Sequence, residues 1–201
     1  MTGTIKALIL DADGVVQHPA RGWWMGWLRL GGPGLLPALS RAEHATQDGS
    51  AELAPRIARV LAERGLDLTV DEVVAHWCRI DLDQRMLQLV DQVRAAGVIT
   101  ALGTNQNPIR GRFMLENLPY AEHFDALFHS WQIGRAKPDP AFYTHIVETL
   151  GVEPHQAVFV DDLRANVVGA RRAGLQAVQF ALFDTFGHLR LKLRGLGVPG
   201  V

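Results

Sequence analysis

The first clear apolar run is Ile5 to Leu10, interrupted only by Lys6, and it predicts a short strand covered on both faces. From Val15 to about Gln84 the pattern changes and predicts an all-helical stretch without a strand. Leu35 to Gln47 and Leu53 to Arg64 repeat apolar residues at helical spacing, the second ending at Gly65. Thr69-Val70-Asp71-Glu72 has capping-box spacing and predicts a helix running through Ile80. Leu82 to Ala96 predicts another helix, ended by Gly97. Strands then return. Val98 to Leu102, Phe124 to Phe128, Ala157 to Val160 and Leu175 to Phe180 each read as a strand. Between them lie helical stretches opened by Asn107-Pro108, Asp139-Pro140 and Leu163. Strands alternating with helices predict a parallel sheet with helices on both faces. The tail near Leu189 to Arg194 fits either an edge strand or a short basic helix.

The implied fold class is α/β, a Rossmann-like doubly wound parallel sheet with an inserted α-helical cap. Residues 1–14 and 92–201 would form the core, and residues 15–91 the cap. Three tryptophans, Trp23, Trp24 and Trp27, fall within the insert and suit either its core or a substrate pocket.

Composition narrows the function classes. A formal net charge of −1 gives no general attraction to nucleic acid or to anionic membrane. Cys78 is the only cysteine, which excludes an internal disulfide and a cysteine-based zinc site and suits a reducing cytosol. The chain opens without a signal-peptide pattern, and no apolar run is long enough to span a bilayer, so a cytoplasmic location is expected. The eight histidines show no metal-ligand spacing.

Candidate chemistry gathers where strands end. Each of four polar clusters is expected just after a predicted strand: Asp11 and Asp13, Thr104 and Asn105, Lys137, and Asp161 and Asp162. In a parallel sheet these ends share one edge, where ligands bind. Asn166, one turn past Asp162, can face the same place. Clustered acids repel unless a cation lies between them, and oxygen ligands favour Mg²⁺. A carboxylate nucleophile with Mg²⁺, a lysine and hydroxyl or N–H donors can transfer a phosphoryl group. Taken singly, each group also fits a plainer role: an Asx turn, a solvated lysine, a helix cap.

Asp11-Ala12-Asp13-Gly14-Val15, Thr104-Asn105, Lys137-Pro138-Asp139-Pro140, and Asp161-Asp162 with Asn166, Gly169, Ala170 and Gly174 resemble the four ordered motifs of the haloacid dehalogenase-like (HAD) hydrolases. The helical insert resembles the subclass I cap, and 103–174 resembles the branch of sugar-phosphate phosphatases and epoxide hydrolase N-terminal domains. The resemblance implies a Mg²⁺-dependent phosphomonoester phosphatase for a small phosphorylated metabolite, working through an aspartyl-phosphate. It implies that Asp11 is nucleophile and metal ligand, and that Asp13 is general acid and base with its carbonyl on the metal. It implies that Thr104 and Asn105 hold phosphoryl oxygens while Lys137 neutralises nucleophile and phosphoryl group. Asp161 and Asp162 would complete the metal site, Asp162 directly, with Asn166 behind them. A dehalogenase, a phosphomutase or a non-catalytic binding module on this fold are the alternatives; dehalogenase relatives lack the acid that Asp13 supplies.

Overall fold

The computed structural model describes residues 4–201. Its main sheet has five parallel strands: β1 (Ala7–Leu10), β4 (Ile99–Thr104), β5 (Ala126–His129), β6 (Ala157–Asp161) and β7 (Gln176–Gln179). Their order is β5-β4-β1-β6-β7, as the alternation of strands and helices predicts. The chain leaves β1 for β4 on one side and returns to β6 on the other, so the order reverses at β1. The crevice beyond its carboxyl end is therefore the place for a ligand.

Successive residues of a strand face opposite sides, and β1 divides its apolar residues accordingly. Leu8 and Leu10 join one cluster with Met86, Val90, Leu189 and Leu193. Those partners come from α5 (Gln84–Ala95) and α11 (Phe186–Gly195). Ala7 and Ile9 join the other with Phe142, Ile146 and Val167, from α9 (Pro140–Leu150) and α10 (Arg164–Arg172). Because both faces of β1 are covered, the strand reads as a continuous apolar run. The ambiguous tail is thus a helix, held by buried Leu189 and Leu193 while Lys192 bonds Gln179 O and Asp184.

A third cluster stands apart from the sheet. It is built from α1 (Trp23–Gly31), α2 (Leu35–His44), α3 (Ala54–Glu63) and α4 (Val70–Trp77), and includes Trp23, Trp27, Leu39, Ile57 and Trp77. The capping box at α4 forms as its spacing predicts, with Glu72 N–H donating to Thr69 Oγ1 and Thr69 N–H to Glu72 Oε2. The expectation of an all-helical insert is corrected. Two short strands, β2 (Gln17–Pro19) and β3 (Ile80–Leu82), pair antiparallel where the insert leaves and rejoins the sheet. Their three residues each are too few to show a period, and their pairing joins segments far apart in sequence. Ile80, expected at the end of a helix, lies in β3. Three further helices complete the sheet-side layers: α6 (Pro108–Asn117) and the single-turn α7 (Tyr120–His123) and α8 (Ser130–Ile133). No helix among the described residues is long and apolar enough to cross a membrane.

His129 ends β5 beside Thr104, fully buried, with neither ring nitrogen in a hydrogen bond to the described residues. Burial pushes its pKa down to about 4. The unfolded chain, with the ordinary value near 6.5, binds the extra proton between those two pH values. His129 therefore removes stability as pH falls through that window, by up to about 3 kcal/mol. The difference in urea midpoint between wild type and His129→Leu should change from pH 7.5 to pH 4.5. A constant difference would show that His129 is not held neutral.

Candidate active site

Because the strands are parallel, their carboxyl ends place Asp11, Thr104 and Asp161 on one edge, and the loop before α9 adds Lys137. Asp11, Asp13, Thr104, Asn105, Lys137 and Asp162 line one cavity of ≈ 610 Å³. Lys137 is buried, and its ammonium stands 2.7 Å from Asp11 Oδ1 and 2.7 Å from Asp161 Oδ2. Its third hydrogen bond goes to Gly103 O at 3.0 Å. All three ammonium hydrogens are thereby directed within the protein. Lys137 thus meets the nucleophile candidate as expected, whereas in this arrangement no ammonium hydrogen remains for a phosphoryl group.

Asp161 is fully buried behind the cavity. Besides Lys137, it accepts bonds from Asn166 Nδ2 at 2.9 and 3.1 Å and from Leu163 N–H at 2.9 Å. Asn166 therefore serves Asp161, the residue at the strand end. Asp162 is the half-buried one that reaches the cavity. Asp11, Asp161 and Asp162 each offer an oxygen, and these lie within 4.8 Å of one another. Three carboxyl groups crowd one ammonium, so without a further cation they ionise only with difficulty. Burial, reinforced by Asp161, pushes Asp11 up to about 8 against the pull of Lys137. Asp162 is raised for the same reasons, burial first and Asp161 second. A hard divalent cation with oxygen ligands fits this donor set and its charge.

Glycines make room for the arrangement. Gly14 has φ 77, and a Cβ there would meet Asp162 Oδ2 at 2.7 Å. Gly169 lets α10 close on the loop that carries Lys137, since a Cβ would fall 2.3 Å from Pro138 O. Gly14→Ala should lower stability by roughly 1–2 kcal/mol for its left-handed backbone alone, with the clash against Asp162 added. Gly22, at φ 79 with nothing within 4 Å, supplies the control. Denaturant unfolding should show a larger loss for Gly14→Ala than for Gly22→Ala, and equal losses would deny the contact.

Asn105 lies beside the same cavity, but its side chain is engaged elsewhere. Its Nδ2 donates to Lys137 O at 2.9 Å, and its Oδ1 accepts from Lys137 N–H at 2.8 Å. The amide ties two loops together, so a bond from Asn105 to a ligand falls to its backbone. Thr104 is buried, its hydroxyl receiving Gln106 Nε2 at 3.3 Å.

Asp13 has the surroundings least expected from the sequence. Arg110 grips it with both terminal nitrogens, at 2.6 Å to Oδ2 and 2.7 Å to Oδ1. Gln106 Nε2 donates to Oδ2 at 2.7 Å and Gln17 Nε2 to Oδ1 at 2.8 Å. Desolvation would raise its pKa, but the Arg110 charge and these bonds outweigh it and bring Asp13 down to about 2. Arg110, Gln106 and Gln17 were invisible in sequence as site residues. Gln106 lies ahead of the N-cap of α6 and Arg110 in its first turn, and Gln106 Oε1 accepts from Arg110 at 2.7 Å, a contact that no helical period marks in the sequence. The same helix reaches the insert, where Asn107 Nδ2 donates to Glu43 Oε1 at 2.9 Å.

The tryptophan cluster divides. Trp23 and Trp27 are buried in the insert, while Trp24 is 63% exposed and lines the cavity with His44 and Gln47.

The profile of the haloacid dehalogenase-like hydrolases matches residues 5–174. Bifunctional epoxide hydrolase 2 of Rattus norvegicus is 32% identical over 116 residues, which cover 54% of this chain and 20% of that protein. A phosphatase of Mycobacterium tuberculosis is 34% identical over 102 residues, covering 50% of this chain and 46% of that protein. The chain thus spans between a fifth and about half of these curated relatives. A HAD family enzyme of Bacteroides thetaiotaomicron, solved with magnesium and inorganic phosphate, superposes with a TM-score of 0.77 at 20% identity, over 92% of this chain and 98% of that chain. Dehalogenases also stand among the solved structures of this fold. The chain belongs to the haloacid dehalogenase-like hydrolases.

Proposed function

From that membership, we propose that the chain is a Mg²⁺-dependent phosphomonoester phosphatase acting on a small phosphorylated metabolite. The observation that carries this reading is the cluster of Asp11, Lys137, Asp161 and Asp162 at one cavity, three carboxyl groups against one ammonium. Asp11, Asp162 and the backbone carbonyl of Asp13 would hold the cation, which when bound supplies positive charge beside the phosphoryl oxygens. Asp161 stands behind, orienting Lys137.

Both hydrogen bonds to Asp11, from Ala12 N–H and from Lys137, fall on Oδ1. Oδ2 is therefore the oxygen that attacks phosphorus. The P–O bond to the alcohol breaks as the Asp11–phosphorus bond forms, giving an aspartyl-phosphate. Thr104 and the backbone N–H of Asn105 receive phosphoryl oxygens. Water then attacks that phosphorus, Asp13 takes its proton, and phosphate leaves with Asp11 restored. The Arg110 grip keeps Asp13 ionised and weakly basic, so Asp13 must leave it to work in either half. Released, it takes a proton from solvent and gives it to the departing alcohol oxygen, and then takes the proton of the attacking water. A dehalogenase would need no such acid, and Asp13, which accepts four hydrogen bonds, has no task in that chemistry.

The four helices α1–α4, framed by β2 and β3, would act as the cap. Helix α5 packs with the sheet through Met86, Leu87 and Val90, so the cap is proposed to end at β3, ahead of residue 91. The lone buried Cys78 suits the cytosol.

The test is turnover of an aryl phosphate and of a 2-haloacid by the same preparation with Mg²⁺. Phosphate should be released from the first and no halide from the second. Halide release without phosphate release would replace this reading by the dehalogenase one.

A further inference from the structure

We propose that the alcohol part of the substrate is uncharged and apolar, and that it packs on the indole of Trp24. This inference rests on the phosphatase reading and names its substrate class.

The cavity has room for much more than a phosphoryl group, at a size typical of small-molecule sites. Outside the four motifs its lining is mainly apolar. Trp24 and Pro19 come from the insert side, Leu163 and Ala165 from the start of α10. Trp24 is 63% exposed and Leu163 57%, which are large apolar surfaces left in water beside a charged centre. A ligand that covers them gains the energy of removing that surface from water.

Trp24 is also held in place. Its ring meets Trp23 edge to face, with centroids 4.8 Å apart. Trp23 is buried against Trp27 and His76, whose Nε2 lies 2.9 Å from Trp23 O. An aromatic surface fixed before binding costs little ordering when a ligand stacks on it.

Charge excludes the acidic alternatives. Among the lining residues only Lys137 and His44 can be cationic. Lys137 is committed to Asp11, Asp161 and Gly103 O. Arg110, nearby, is committed to Asp13. A second carboxylate or phosphate on the substrate would meet no dedicated partner, while Asp13 and Asp162 would repel it. A polyol fares little better. Apart from the motif residues, only His44 and Gln47 offer polar groups for its hydroxyls.

The experiment compares three esters of primary alcohols, so that leaving-group chemistry stays alike: cyclohexylmethyl phosphate, glucose 6-phosphate and O-phosphoserine. Wild type, Trp24→Ala and Trp24→Phe are assayed with Mg²⁺, and acetyl phosphate reports the chemistry without a large leaving group. Wild type should prefer the cyclohexylmethyl ester by kcat/KM. Trp24→Ala should lower that value by about tenfold, through KM, and Trp24→Phe should restore most of it. The alanine variant should lose less with phosphoserine and with acetyl phosphate. Equal losses across all four compounds, or a wild-type preference for phosphoserine or glucose 6-phosphate, would overturn the apolar subsite alone. If wild type cleaves the aryl phosphate but not the cyclohexylmethyl ester, the apolar subsite falls alone; if it cleaves neither the aryl phosphate nor any of the four, the phosphatase reading falls and this inference with it.

Discussion

Replacing Asp11 by asparagine should remove phosphate-ester turnover, by at least about 10⁴-fold, without unfolding the protein. The amide has the shape of the carboxylate but cannot form an acyl phosphate. Its stability should respond in the opposite sense. In the folded protein burial pushes Asp11 up to about 8, against 3.8 for an ordinary aspartate. A carboxyl with a raised pKa favours folding below its unfolded value and loses that contribution as pH rises through the folded one. Metal-free wild type should therefore lose stability between about pH 4 and pH 8 relative to Asp11→Asn. Lys137 keeps Asp161 as a partner in the variant, at 2.7 Å. Thermal melts of both proteins across that range, with steady-state kinetics at neutral pH, measure the two effects together. Retained turnover with a normal melt would mean that another group attacks phosphorus.

Chelation should silence the enzyme and Mg²⁺ should restore it, because three carboxylates share one ammonium at this cavity. The two aspartates at the end of β6 should then separate by role. Asp162 faces the cavity, whereas Asp161 is buried and already accepts bonds from Lys137, Asn166 and Leu163 N–H. Asp162→Asn should raise the Mg²⁺ concentration for half-maximal rate by at least about 10²-fold and change the fold's stability little. Asp161→Asn removes one charge from a buried ion pair and should cost on the order of 3 kcal/mol in unfolding free energy. Full activity in metal-free buffer would sink the metal reading. The same Mg²⁺ requirement in both variants would mean that the aspartates do not divide the work this way.

Much of the sheet was legible in the chain because its cause is local. Buried strands such as Ala7–Leu10 and the first four residues of Ala157–Asp161 are apolar throughout, since both faces are covered. Helix starts were legible for the same reason. Asp139 accepts from Ala141 N–H and Asn107 from Ile109 and Arg110 N–H, bonds that need only neighbours along the chain. The paired strands β2 and β3 were not legible, because each is three residues long and its partner is supplied only by the fold. The tail could be settled only once Leu189 and Leu193 had a sheet face to cover.

The site divides along the same line. The sequence by itself determined that Asp11, Asp13, Thr104 and the Asp161-Asp162 pair would meet, because parallel strands bring their carboxyl ends to one edge; Lys137 does not end a strand and joins them from the loop between α8 and α9. It also determined the family, through the order of those residues. Only the tertiary structure decided what each of them touches. It turned Asn166 toward Asp161, spent the Asn105 amide on the backbone of Lys137, and closed Arg110 on Asp13. It buried Trp23 and Trp27 while leaving Trp24 at the cavity. The physical reason is range. Secondary structure and strand ends follow from residues a few positions apart, whereas a side chain's charge state and contacts follow from groups that folding brings in from elsewhere in the chain.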